Sequence, residues 1–244
     1  MPLTALFLFT AIAVAAPAAP ATPKRVAFKT DDGWTIAADY RAPRNRGFVV
    51  ILAHGVGSAK GEWSRLTAAL TARGVGTLAI DLRGHADSRR GPGGIQRGYE
   101  TFDATGEWPR SVGDLLAATR WLKTHGVDSG RIAFGGASIG ANLAAAAAAR
   151  LRCRTFVVLL SPGVDYRGVG LVLPADAKIL IGAAPGDSYA DATARAAAKY
   201  PNVSTFSAPA GHGVQMFDDP ATLARVADWI SAQVAILVPK RTNP

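Results

Sequence analysis

Short apolar runs alternate with helical segments along most of this 244-residue chain. The most apolar run, residues 48–53 (FVVILA), has the length of a strand and no polar position, as expected for a strand covered on both faces. Alternation of this kind predicts an α/β fold, a mostly parallel twisted sheet with helices on both faces. The remaining strands are predicted at residues 76–80, 131–134, 155–160, 178–181 and 203–207, and helices at 64–73, 111–125, 139–150, 189–199 and 223–237.

An antiparallel hairpin is predicted at one edge of this sheet. Residues 26–30 and 34–40 are extended runs on either side of Asp31-Asp32-Gly33, and Asp-Gly is a strong hairpin turn signal. We expect residues 25–238 to form one domain, followed by a short C-terminal tail at 239–244.

The composition excludes several classes of protein. With 49% apolar and 18% charged residues, the chain can bury a sizeable core and is not a disordered segment. Its one cysteine, Cys153, excludes an intramolecular disulfide and a cysteine-based zinc site. The four histidines are scattered and form no H-x-x-x-H pattern. We therefore expect no metal site.

The first 21 residues are typical of a signal peptide. An apolar stretch from Leu3 to Ala16 is too short to span a membrane, and two A-x-A cleavage patterns follow, ending at Ala18 and Ala21. No Lys or Arg precedes the stretch, so only the terminal amine supplies positive charge. The sequence thus predicts export to the periplasm or medium, and an uncleaved N-terminal membrane anchor is the alternative.

The net charge of +9 raises the question of an anionic partner. No block of like charges and no recognition-helix or RNA-stacking motif accompanies it, so we expect no nucleic-acid partner. A solvated, arginine-rich surface accounts for most of the charge, and a weak association with an anionic envelope surface is compatible with it. The oligomeric state is not predicted by the sequence.

The motif Gly136-Ala-Ser138-Ile-Gly140 matches the pattern G-x-S-x-G. It lies between a predicted strand and an alanine-rich predicted helix, the setting in which this pattern forms a nucleophile elbow. The small residues Gly136 and Gly140 permit the sharp turn that raises the serine hydroxyl above the sheet. We predict that Ser138 is a nucleophile. In the alternative interpretation, Ser138 only caps the helix.

A nucleophilic serine requires a base and an acid that orients the base. The order Ser…Asp…His that accompanies this elbow is satisfied by Asp187, in a loop after a buried strand, and by His212, between two glycines after the last strand. Asp191 and Asp165 are the rival acids. The other histidines precede Ser138, so none of them fits the order.

The oxyanion of an acyl-transfer reaction needs two N–H donors. One is expected from Ile139, directly after the nucleophile, and the second from Val56, in the loop after the strand 48–53. The arginine-rich loop 82–110 either forms a wall of the pocket or is an ordinary surface loop. Residues 161–177 leave no room for a large lid insertion.

The chain resembles the α/β-hydrolase superfamily, nearest to its dienelactone-hydrolase-like and small-esterase branch. The resemblance rests on an ordered set of motifs: His54–Gly57, Asp81–Ser88, Gly136–Gly140, Ser161–Tyr166 and Gly211–Gly213. It implies a cofactor-free Ser-His-Asp hydrolase whose partner is a small-molecule ester. Dienelactone hydrolases proper have Cys in place of Ser138, so their lactone specificity is not implied. A serine peptidase of the prolyl-oligopeptidase type and a non-catalytic envelope-binding protein are the alternatives.

Overall fold

The computed structural model describes residues 22–237. The predicted signal peptide at 1–21 and the tail at 239–244 lie outside the described residues. Among the described helices, none combines the length and the apolar character needed to cross a membrane.

The ten described strands are β1 Lys24–Lys29, β2 Thr35–Arg41, β3 Val49–Ala53, β4 Gly76–Ile80, β5 Ile132–Ala137, β6 Phe156–Leu160, β7 Asp165–Tyr166, β8 Val169–Gly170, β9 Lys178–Ala183 and β10 Val203–Ser207. Eight of them form the central sheet, in the order β1-β2-β4-β3-β5-β6-β9-β10. In this sheet β2 pairs antiparallel with β1 and with β4, and the other neighbouring strands are parallel.

Helices cover both faces of the sheet. The described α-helices are α1 Ser64–Ala72, α2 Phe102–Thr105, α3 Val112–Thr124, α4 Ile139–Arg150, α5 Ser188–Ala197 and α6 Pro220–Leu237. Helices α3, α4 and α5 contribute to the core on one face, and α1 and α6 to the core on the other. Strand β3 supplies both cores in turn, with Ile51 on one side and Val50 and Leu52 on the other. This explains why its sequence lacks a polar position.

The predicted fold class is confirmed. The N-terminal hairpin lies at one edge of the sheet, and its turn has Gly33 at a φ of +91°, a conformation that glycine adopts without strain. Between β6 and β9 the chain forms only the two-residue strands β7 and β8, so no large lid is inserted there. This small hairpin is absent from the sequence prediction, because two-residue strands leave no periodic pattern.

Four of the five arginines in loop 82–110 are exposed, as predicted for a surface loop, and Arg83 is the exception. The guanidinium of Arg83 is completely buried, and it donates hydrogen bonds to three carboxylates. The distances are 2.7 Å to Asp32, 2.5 Å to Glu107 and 2.8 Å to Asp114. Arg83 therefore ties the N-terminal hairpin to α3 and is not available to an anionic substrate. Trp108 and Phe102, which belong to the same loop, lie in the core beside it.

Candidate active site

Ser138 occupies a tight turn between β5 and α4. Its φ of 56° and ψ of −128° lie outside the regions that residues with a side chain normally occupy, so the turn stores strain. The serine N–H donates to the carbonyl of Leu160 at 2.9 Å, which ties the turn to the neighbouring strand β6. This is the strand–turn–helix arrangement in which a serine hydroxyl is presented at the edge of a sheet.

The two flanking glycines are required by close packing. A Cβ at Gly136 would lie 2.0 Å from the carbonyl oxygen of Gly140. A Cβ at Gly140 would lie 2.3 Å from the carbonyl oxygen of Ala53, at the end of β3. Any larger residue at either position would therefore displace backbone, and the turn that holds Ser138 would change shape.

Asp187 and His212 form a direct pair. Asp187 follows β9 and precedes α5, and its carboxylate lies 2.6 Å from Nδ1 of His212. A carboxylate at Nδ1 leaves Nε2 of the imidazole as the nitrogen available to a serine hydroxyl. The carboxylate is mostly buried, with 16% of the side chain exposed, whereas 42% of the imidazole is exposed. The imidazole is thus accessible and the carboxylate beside it is sheltered.

The rival residues are engaged elsewhere. Asp191 forms an ion pair with Arg195 one turn further along α5, and the Asp165 carboxylate accepts a hydrogen bond from the N–H of Gly168. The imidazole of His54 is completely buried, and it accepts the N–H of Leu82 at 3.0 Å. Burial lowers the pKa of His54 to about 3, so this ring remains neutral.

His85 and His125 also have surroundings of their own. The His85 ring stacks on Tyr99 with 4.1 Å between ring centroids, and the His125 ring stacks on Trp121 at 4.0 Å. Of the four histidines, only His212 is paired with a carboxylate within the described part of the chain.

The loops that carry His212 and Val56 both pack against the serine. A Cβ at Gly213 would lie 3.9 Å from the amide nitrogen of Ser138, and a Cβ at Gly55 would lie 3.3 Å from the Cβ of Ser138. Ser138 and His212 line the same cavity, of about 430 Å³, together with Val56. The structure therefore brings together three loops that are far apart in the sequence.

The two predicted oxyanion donors differ in their surroundings. Val56 lines the cavity, and 36% of the residue is exposed. Ile139 is the first residue of α4 and is completely buried, directly after Ser138, which lines the cavity. Amides at the first turn of a helix point away from the helix and favour negative charge.

Two buried polar residues support the site and were not predicted. Ser161, directly after β6, accepts the N–H of Gly213 at 2.9 Å and so holds the loop that carries His212. The side-chain amide of Asn142, on α4, donates to the carbonyls of Gly163 and Val169 at 2.8 Å each. Ser161 belongs to a motif that the sequence comparison singled out, but its partner is 52 residues away in the sequence.

The site has acidic neighbours. Glu62 lines the cavity, and burial raises the pKa of its carboxyl, an effect opposed by a hydrogen bond from Ser58 and by the nearby His212. Burial also raises the pKa of Tyr166 to about 12, and the charge of Asp187 adds to this shift.

Within residues 22–237, no cluster of His, Cys, Asp or Glu has the composition of a metal site.

Comparisons with known proteins agree with this architecture. The fold is similar to an esterase from Pyrococcus furiosus, with a TM-score of 0.68 and 17% sequence identity over 92% of this chain and 98% of that chain. It is also similar to a dienelactone hydrolase from Anabaena variabilis, with a TM-score of 0.62 and 22% identity over 90% and 100% of the two chains.

A third structure, from Xanthomonas campestris, is described as an α/β serine hydrolase without lid. It has a TM-score of 0.62 and 16% identity over 92% of this chain and 98% of that chain. No curated protein matches the sequence significantly. At these identities the similar structures establish the fold alone. The pattern of the alpha/beta hydrolase family matches residues 50–242, which is well over half of the sequence and includes all three residues of the predicted triad, and the chain therefore belongs to the α/β hydrolase family.

Proposed function

We propose that this protein is a serine hydrolase that cleaves small carboxylic esters through an acyl-enzyme. The observation that supports the proposal best is the Asp187–His212 pair, at 2.6 Å, next to a cavity that His212 shares with a serine on a strained turn. Acyl transfer by a serine uses a hydroxyl, a base that takes its proton and an acid that orients the base. Ser138, His212 and Asp187 supply these three groups in the proposal.

In the proposed first half-reaction, the Ser138 hydroxyl attacks the ester carbonyl while Nε2 of His212 takes the hydroxyl proton. Asp187 keeps the Nδ1 hydrogen in place and stabilises the imidazolium that forms. The carbonyl oxygen becomes negatively charged and is bound by the N–H groups of Ile139 and Val56. When the tetrahedral intermediate collapses, the bond to the alcohol breaks and His212 returns the proton to the leaving alcohol.

In the second half-reaction, a water molecule attacks the acyl-enzyme. His212 takes a proton from the water, the acid is released, and the proton returns to the Ser138 oxygen. The open cavity supports substrates with short or mobile acyl groups, since no inserted lid provides an apolar tunnel for a long chain between β6 and β9.

Labelling with a fluorophosphonate probe, followed by assays with p-nitrophenyl esters of increasing acyl length, tests this proposal. We expect the wild-type protein to be labelled at Ser138 and Ser138→Ala to lose both labelling and turnover. The structure offers Ser207→Ala, on the edge strand β10, as a control that removes a serine outside the cavity. Labelling that persists in Ser138→Ala would contradict the assignment of the nucleophile, and wild-type turnover of peptides in preference to esters would contradict the substrate class.

We also propose that the protein acts outside the cytoplasm, on the basis of the uncharged, apolar N-terminal segment of the sequence. Sequencing of the mature N-terminus is expected to show cleavage after Ala18 or Ala21. An intact N-terminus on membrane-bound protein would favour the anchor instead.

A further inference from the structure

Glu62 is a carboxylate in the cavity that is not part of the predicted triad. It lines the same cavity as Ser138 and His212, although a negative charge there opposes the oxyanion that the proposed reaction forms. A carboxylate at this position is therefore expected to make a favourable contribution to the site that offsets this repulsion.

The contacts of Glu62 indicate what this contribution is. One carboxylate oxygen, Oε1, accepts the backbone N–H of Gly55 at 3.3 Å, and the other, Oε2, accepts a short hydrogen bond from the Ser58 hydroxyl. Gly55 and Ser58 flank the predicted oxyanion donor Val56, and the N–H of Ser58 donates in turn to the carbonyl of Gly55 at 3.3 Å. One side chain thus closes the loop segment that carries Val56 into a ring of hydrogen bonds.

A second carboxylate also holds this loop. Asp81, at the end of β4, accepts the N–H of Lys60 at 2.7 Å and the Lys60 ammonium at 2.6 Å. Asp81 is completely buried. Asp81 thus holds the loop at Lys60, and Glu62 holds it at Gly55 and Ser58, the part that lies beside Ser138.

A role for Glu62 in stabilising the start of α1 explains less. Acidic residues are favourable at helix N-termini, where they interact with the free N–H groups of the first turn. Both oxygens of Glu62, however, are bonded to loop donors that precede the helix. The contacts therefore serve the loop and not the helix.

We propose that Glu62 is a positioning residue that holds the oxyanion loop, residues 55–62, so that the N–H of Val56 points to the carbonyl oxygen of the substrate. The inference rests on the proposed function. The Glu62 carboxylate also lies near His212. It therefore attracts the His212 imidazolium, which forms at the same time as the oxyanion.

The test compares Glu62→Gln with the wild type, both normalised to the fraction of molecules that a fluorophosphonate labels at the end of the reaction. Loss of a complete oxyanion donor lowers kcat by about 10²–10³-fold, so a displaced donor is expected to lower kcat by roughly 10–100-fold. We expect KM to change by less than about threefold, since the ground-state ester depends little on these donors. Affinity for a boronic acid that forms a tetrahedral adduct with Ser138 is expected to fall in parallel with kcat.

Ser58→Ala provides a second, milder variant, and Glu100→Gln a control with the same chemical change at an exposed glutamate. We expect Ser58→Ala to lower kcat by roughly 3–10-fold and the double variant to lose little more than Glu62→Gln, because both residues act through one contact. A purely structural role would reduce the labelled fraction but leave kcat per labelled site unchanged. Wild-type kcat per labelled site in both Glu62→Gln and Ser58→Ala would overturn the inference.

Ser138→Ala, measured alongside, separates this inference from the proposed function. Turnover that survives the loss of Ser138 refutes the proposed function. Turnover that depends on Ser138 and is indifferent to Glu62 and Ser58 refutes only the positioning role.

Discussion

Replacement of Gly140 by alanine tests whether the contact between α4 and β3 sets the position of Ser138. A Cβ at this residue would lie 2.3 Å from the carbonyl oxygen of Ala53 and 2.4 Å from that of His54. Both oxygens belong to backbone and cannot rotate away. Since ordinary contact begins at 3.4 Å, the start of α4, with Ser138 directly before it, must move by roughly 1 Å.

The size of the effect follows from this displacement. Overpacking of a core costs about 1–3 kcal/mol, and a clash with two backbone atoms belongs near 3 kcal/mol. Alanine recovers about 1 kcal/mol relative to glycine inside a helix. The net destabilisation of about 2 kcal/mol lowers Tm by roughly 4–8 °C in a domain of this size. The loss of activity is larger, because a displacement of 1 Å costs about 100-fold in rate.

The assay measures Tm and ester turnover per folded molecule at a temperature well below the transition. Gly170→Ala is the matched control, since its Cβ would lie 3.8 Å from the nearest atom, a carboxylate oxygen of Asp165. We expect this control to match the wild type in both measurements. A Gly140→Ala protein that is folded and has wild-type kcat would refute the argument that this contact positions Ser138.

Three further predictions concern other parts of the molecule. Asp187→Asn is expected to lower kcat by about 10³–10⁴-fold, because the amide stabilises the wrong imidazole tautomer, whereas Asp191→Asn retains activity; equal losses in an ester assay would contradict the assignment. Arg83→Met leaves buried carboxylates unpaired and is expected to cost about 3–5 kcal/mol in the free energy of unfolding, measured with urea; a loss below about 1 kcal/mol would show that the network is dispensable. Cys153 is buried and burial raises the pKa of its thiol, so iodoacetamide is expected to modify the native protein at least about 100-fold more slowly than the unfolded chain, and equal rates would contradict its burial.

The centre of the sheet could be predicted from the sequence, because β3, β4, β5, β6 and β9 are buried on both faces and are therefore mostly apolar. Strand β5 shows the limit of this reasoning. The predicted strand ends at residue 134, yet β5 continues to Ala137. Gly135 and Gly136 weaken the strand pattern, and the reason for glycine is tertiary, since a Cβ at Gly135 would lie 2.9 Å from the Leu52 side chain. A close approach between two strands leaves no local signal.

The candidate site divides in the same way. Ser138, Asp187 and His212 could be proposed from the sequence because each follows a predicted strand, and parallel strands end at a common edge. The supporting residues could not, since the contact from Gly213 to Ser161 joins residues 52 positions apart. The burial of Arg83 was missed for the same reason, because its partners Asp32 and Asp114 are 51 and 31 residues away.

The link from the histidine loop to the sheet has a consequence for how such a protein can diverge. Ser161, directly after β6, accepts the N–H of Gly213 and donates its own N–H to the carbonyl of Gly182 in β9 at 2.7 Å. The loop that carries His212 is thus anchored to β6, the neighbour of β5, and through it to β9. The distance between Ser138 and His212 is therefore set by the spacing of strands in the sheet, which tolerates little change. The side chains of Val56 and Val214 line the cavity and take no part in that anchoring. Substitutions at these two positions can therefore alter which molecules enter the cavity without moving Ser138 and His212 relative to each other.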